Sequence, residues 1–126
     1  MQIFVDSSVW IDYFRSGLNS NDLDILIDKN LIITNDIILA ELIPFLKIKK
    51  QIKVIQLLKS IYKISIKIDW EEIIQFQTKC LKSGINGIGI PDLIIAQNVK
   101  QNNGQIYSLD NHFQHLKKII GVKVYE

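Results

Sequence analysis

The chain has 126 residues, a length that fits one domain around one hydrophobic core. Hydrophobic residues make up 48% and charged residues 22%, which excludes a long disordered or low-complexity tract, and a net charge of +2 is too small to mark a nucleic-acid binder by itself. No apolar stretch approaches the roughly 18 residues that span a bilayer, and the start lacks a signal peptide's basic region and cleavage site, so the expectation is a soluble cytoplasmic protein with no membrane partner.

In chain order, strands alternate with helices. The pattern predicts an α/β fold of three layers, α/β/α, around a central and mainly parallel sheet of about five strands, in a single domain over 1–126. The first strand covers about residues 2–6, followed by a short helix from Ser8 to about Phe14 and another across "DLDILIDK". "LIIT" (31–34) reads as the second strand, and Asn35 or Asp36 can cap an apolar helix that runs to Leu46, with Pro44 expected to kink its end. A lysine-bearing helix covers 51–60, and "YKISIKI" alternates like a third strand. "DWEEIIQFQTKCLKS" is a helix stopped by Gly84, and Asp69 with Glu72 three residues on has the spacing of a capping box. Pro91 suits the first turn of a helix reaching about Asn103. "QIYSLD" is a fourth strand, Asn111–Lys118 a short helix and "GVKVY" a fifth strand. Cys80 has no partner for an internal disulfide and no zinc-ligand spacing around it, so it reads as a small buried hydrophobe.

Four acids fit a purely structural account poorly. Asp6 ends the first strand, where a charge follows three apolar residues. Glu41 is the only charged group within "IILAELIPF" and must face a polar cavity, a cation or the surface, because burying an unpartnered carboxylate is expensive. Asp92 lies in the first turn of an apolar helix, where the macrodipole alone favours an acid, and Asp110 ends the fourth strand, where it can also cap the next helix. Together they carry more weight, since strand carboxyl ends and the following helix starts open on one edge of a parallel sheet, the edge that binds ligands. Four converging carboxylates repel one another unless they take up protons or hold a cation. Oxygen ligands select Mg²⁺ or Mn²⁺ over zinc, and such an ion polarises a phosphodiester and activates a bound water. The residues therefore point to a metal-dependent nuclease with Asp6, Glu41, Asp92 and Asp110 as catalytic and metal-binding groups. Ser7, Ser8 and Ser108 can supply supporting hydroxyls, although Ser7 and Ser8 suit helix caps equally well.

Fourteen of the fifteen basic residues are lysines, Arg15 being the exception. Lys47, Lys49, Lys50 and Lys53 form a cluster that reads either as a solvated helix face or as part of a track for an anionic ligand. Arg15, Lys47, Lys49 and Lys50 are the candidates for phosphate contact.

At these positions the sequence resembles the PIN-domain ribonucleases and, within them, the VapC toxins of toxin–antitoxin pairs. "FVDSSVWIDYF" is similar to the family's opening strand and turn with its first acid at Asp6, and "LAEL" carries the second at Glu41. "GIPDLIIAQNVKQNNGQIYSLDNHF" resembles the closing segment, with the third acid at Asp92 and the fourth at Asp110, and Ser108 matches a hydroxyl residue two places before the last acid. Two positions depart from the pattern: Ser8 stands where many members have asparagine, and His112 where many have another aspartate. On the residues alone His112 reads as an exposed helix residue, with metal or phosphate contact as the other reading. The resemblance implies an Mg²⁺- or Mn²⁺-dependent endoribonuclease acting on structured RNA such as transfer RNA, held inactive by a cognate antitoxin protein and commonly a homodimer. The competing reading is a noncatalytic nucleic-acid or protein-binding module of the same fold. Four mutually repelling carboxylates facing a polyanion weigh against it. A phosphoacceptor receiver domain needs a lysine where Asp110 ends its strand, and a haloacid-dehalogenase-like phosphatase needs an aspartate where Ser8 stands.

Overall fold

The computed structural model describes residues 2–126. Its order is β1 (Ile3–Val5), α1 (Ser7–Arg15), α2 (Leu23–Asp28), β2 (Ile32–Ile33), α3 (Asp36–Ile48), α4 (Ile52–Ser60), α5 (Trp70–Lys82), α6 (Ile90–Gln101), β3 (Gln105–Tyr107) and α7 (Asn111–Ile120). The three strands form a parallel sheet in the order β2-β1-β3. Ile3 and Phe4 pair with Ile32 and Ile33 on one side, and Ile3, Phe4 and Val5 pair with Gln105, Ile106 and Tyr107 on the other.

Alternate residues of these short strands enter different cores. Phe4, Ile33 and Ile106 pack with α5, α6 and α7 on one face. Ile3, Val5, Ile32 and Tyr107 pack with α1, α2, α3 and α4 on the other. The strands read as unbroken apolar runs because both faces are covered, as parallel sheets require. The result is the expected three-layer arrangement.

The sheet is narrower than expected, with three strands rather than about five. "YKISIKI" touches the sheet only through one parallel bridge, Thr34 to Lys63, closed by bonds from Thr34 N to Tyr62 O and from Ile64 N to Thr34 O. The final segment likewise pairs at one point, Ile106 with Val124. Both lie where outer strands would lie. The rest of the 62–68 segment is tied to side chains instead: Asn98 Nδ2 donates to Ser65 O at 3.0 Å and Gln101 Nε2 to Lys67 O at 2.9 Å. Side-chain amides on α6 thus satisfy backbone carbonyls along this edge.

Helix boundaries follow local chemistry. Asn35 caps α3 by accepting from Ile38 N, and Asp69 caps α5 by accepting from Glu72 N. The return half of the expected capping box is absent. Gln97 accepts from Asp69 N through Oε1 and donates to Glu72 Oε1 at 2.8 Å, standing between the two acids. α3 runs through Pro44 to Ile48, two residues beyond the expected end. α5 ends at Lys82, with Gly84 beyond it at φ +77°, and Pro91 sits in the first turn of α6. Cys80 is buried and unpaired, as its surroundings in the sequence suggested.

Gly104, between α6 and β3, is where the chain passes closest to the core. A Cβ there would lie 2.9 Å from the Phe4 ring and 3.2 Å from Gln2 O. Phe4 is fully buried and cannot retreat. Gly104→Ala should therefore destabilise the fold by about 1–3 kcal/mol. Chemical denaturation would read this directly, and an unchanged midpoint would contradict the close approach.

Candidate active site

The carboxyl end of the sheet gathers the acids because β1 and β3 stop level with each other. Val5 pairs with Tyr107, and Asp6 N then donates to Tyr107 O at 2.9 Å, so Asp6 and Ser108 leave the sheet side by side. Asp6 is 5% exposed. Its Oδ2 accepts from Ser8 Oγ at 2.7 Å and from Ser108 Oγ at 2.9 Å. The two hydroxyls accept in turn from backbone, Ser8 from Leu109 N and Ser108 from Asp110 N, both at 3.0 Å. Each serine therefore locks a strand-end loop onto a buried carboxylate.

Asp110 caps α7, accepting from His112 N at 3.0 Å, and it also faces the site. Asp110 is thus a helix cap and a member of the acidic cluster at once. Asp92, in the first turn of α6, lies 2.7 Å from His112 Nδ1, and Asp110 Oδ1 lies 3.6 Å from the same nitrogen. Ligand atoms of Asp92, Asp110 and His112 all fall within 4.8 Å of one another, a spacing that one cation can span. His112 is thus half-buried against two acids rather than an exposed helix residue. Its signal in the sequence is position: it follows a strand-end acid by two residues, in the first turn of a helix opening on the ligand-binding edge.

Glu41 is solvent-exposed, one and a half turns into α3, yet it feels the cluster. Desolvation, then the charges of Asp6 and Asp92, push its carboxyl up to about 6, with the Ser7 hydroxyl opposing and Asp110 adding to the rise. Burial raises Asp92 as well, partly offset by its hydrogen bond to His112. The His112 imidazole is held above its usual range chiefly by that same bond. Negative charge is therefore crowded here, and a cation would relieve it.

The predicted basic residues lie elsewhere. Arg15 ends α1 and Lys47 lies in the last turn of α3, helices that begin at the acidic edge and run back along the sheet. A nine-residue helix puts Arg15 roughly 13 Å from the edge. Its guanidinium stacks 5.2 Å above Phe45 and, with Lys49, lines a separate cleft of about 280 Å³. Lys50 is exposed just beyond α3, in a left-handed turn at φ +58°.

A parallel sheet with this acidic edge is the arrangement on which a family comparison can be read, and the PIN-domain family matches residues 3–119. The chain belongs to the PIN-domain family. Among solved structures, it is similar to VapBC2 from Rickettsia felis bound to a promoter DNA fragment, at 21% identity and a TM-score of 0.76, covering 99% of this chain and 98% of that one. VapBC-1 from nontypeable Haemophilus influenzae matches at 17% identity and a TM-score of 0.76, covering 100% and 98%. VapC20 from Mycobacterium tuberculosis, a Sarcin-Ricin loop cleaving toxin, matches at 18% identity and a TM-score of 0.65, covering 97% and 99%. At these identities the likeness is one of fold. Comparison with curated protein sequences gives no match. Among the described residues, no helix of this PIN domain is long and apolar enough to cross a membrane.

The crowding gives a stability prediction. Glu41 ordinarily titrates near 4.5, and its folded value is about 6. Between these values the native state binds more protons than the unfolded state, so stability falls as pH rises through this window and levels off above it. Glu41→Gln should raise the Tm of metal-free protein at pH 7.5 and leave it unchanged at pH 4. Scanning calorimetry in chelator would show this, and equal effects at both pH values would contradict the raised Glu41 carboxyl.

Proposed function

We propose that this PIN domain is a divalent-metal-dependent endoribonuclease and the toxin of a VapBC-type pair. The observation that carries the reading is the convergence of Asp92 and Asp110 on one point, with Asp6 fixed beside them and the Glu41 carboxyl raised by desolvation and then by their charge. The donor set suits Mg²⁺ or Mn²⁺, being mostly hard carboxylate oxygen. Such an ion supplies a water activated at neutral pH and offsets charge on the phosphoryl oxygens. Asp92 and Asp110 would hold it, Asp6 and Glu41 would complete the negative field, and Ser8 and Ser108 keep the Asp6 carboxylate from turning. Ser7 orients Glu41. The substrate is a structured RNA, such as transfer RNA, and the description of VapC20 as a loop-cleaving toxin supports RNA as the class.

An antitoxin partner is part of the same reading. Trp10, Tyr13 and Phe14 of α1, Ile27 of α2, and Val54 and Leu57 of α4 line an apolar groove of about 360 Å³. Leu57 is 68% exposed there, unusually open for a large apolar side chain in a groove. A partner segment seated in it would cover this surface and lie over α1, the helix that starts at Asp6. The toxin works as a homodimer, and Arg15, Lys47, Lys49 and Lys50 contribute general attraction for RNA phosphates at a distance from the cleavage point.

Asp6→Asn and Asp92→Asn should each abolish RNA cleavage while the fold persists. Mn²⁺ affinity should fall at least about tenfold, the lower end of what even an outer partner of a metal site contributes. Titration calorimetry with folding checked by circular dichroism tests this, and unchanged affinity in both variants would remove the shared site.

A further inference from the structure

His112 is the feature of the edge that a set of carboxylates does not explain. Its backbone N–H is fixed by Asp110 Oδ1 at 3.0 Å, so the start of α7 and the root of the imidazole are set before any ligand arrives. Its Nδ1 then points between two acids from different elements, 2.7 Å from Asp92 Oδ2 and 3.6 Å from Asp110 Oδ1. Neighbouring ligand atoms on one octahedral or tetrahedral ion, at bond lengths of about 2.0–2.1 Å, stand roughly 2.9–3.4 Å apart. The two observed separations bracket that range, and the third, between Asp92 and Asp110, is within 4.8 Å, so small side-chain adjustments let an ion enter. The site is half-open as well, the His112 side chain being 37% exposed and that of Asp92 18%. An ion can reach it.

We infer that His112 is itself a metal ligand through Nδ1, together with Asp92 and Asp110, and that this nitrogen makes the site select Mn²⁺ or a later first-row ion over Mg²⁺. The inference rests on the metal-dependent reading above and adds a donor and a preference to it. Imidazole nitrogen binds first-row transition ions, Mn²⁺ most weakly and the later ions more strongly, whereas Mg²⁺ is served by carboxylate, carbonyl and water oxygen. A nitrogen in the shell therefore moves the preference, while Asp92 and Asp110 keep the edge negative. The alternative role for His112, a hydrogen-bonded brace that only steadies Asp92, leaves the ion with an all-oxygen shell and no such preference.

Pulsed electron paramagnetic resonance on the Mn²⁺-loaded full chain separates the two, because a bound imidazole nitrogen couples to the metal's electron spin and a carboxylate does not. The coupling should be present in the wild type, persist in His115→Gln, and vanish in His112→Asp. Competition calorimetry should show the Mn²⁺ to Mg²⁺ affinity ratio falling at least about tenfold in His112→Asp. Mn²⁺ bound without nitrogen coupling in the wild type would overturn the ligand assignment and leave the metal-dependent reading standing. Absence of binding by either ion would overturn both. The wild-type spectrum decides the matter even if His112→Asp does not fold.

Discussion

The arrangement depends on a buried carboxylate that needs two distant parts of the chain to satisfy it. Asp6 is almost wholly enclosed, and its Oδ2 accepts from Ser8, two residues on, and from Ser108, at the end of β3. An enclosed charge without such donors is strongly destabilising, so the serines and the strand register are not independent choices. Shifting β3 by one residue would move Ser108 away from Asp6 and exchange Ile106 and Tyr107 between the two cores. The same register brings Asp110 to the start of α7 and carries His112 towards Asp92. Sheet pairing, helix capping and the acidic cluster are consequences of one alignment at the carboxyl edge.

Much of this was legible in the sequence where two signals agreed. Asp6 follows an apolar run and Asp110 ends another, and both lie where parallel strands deliver ligand-binding residues. Asn35, Asp69 and Pro91 marked helix starts because capping and N-terminal proline chemistry are local. The outer strands were misread for a physical reason. "YKISIKI" alternates as a strand should, but its backbone carbonyls at Ser65 and Lys67 are taken by Asn98 and Gln101 of α6. Alternation reports which side chains are buried; it cannot report whether the backbone bonds to a strand or to a side-chain amide.

His112 was the residue least visible beforehand. It follows the polar Asp110 and Asn111 at the start of an amphipathic helix, so solvent exposure was the natural reading. What places it against Asp92 is the meeting of α7 with the start of α6, a tertiary fact with no local signature. Glu41 shows the reverse: it stood out as the lone charge in an apolar helix, and its carboxyl is raised first by desolvation and then by the charges of Asp6 and Asp92. The acidic edge and the apolar groove are then joined by α1, whose first residues brace Asp6 and Glu41 and whose aromatic residues line the groove.

The nature of the attacking group is the point on which the proposed chemistry stands. His112 is engaged by Asp92, and His115 lies in a separate basic cleft with Lys79, Lys82 and Lys118, so the two imidazoles do not form a pair for acid–base work on a 2′-hydroxyl. Analysis of the cleaved RNA ends is the most direct measurement. Attack by a metal-activated water predicts 5′-phosphate and 3′-hydroxyl ends, loss of activity in chelator, and continued cutting when the scissile nucleotide carries a 2′-deoxy sugar. A 2′,3′-cyclic phosphate formed in the presence of chelator would contradict it.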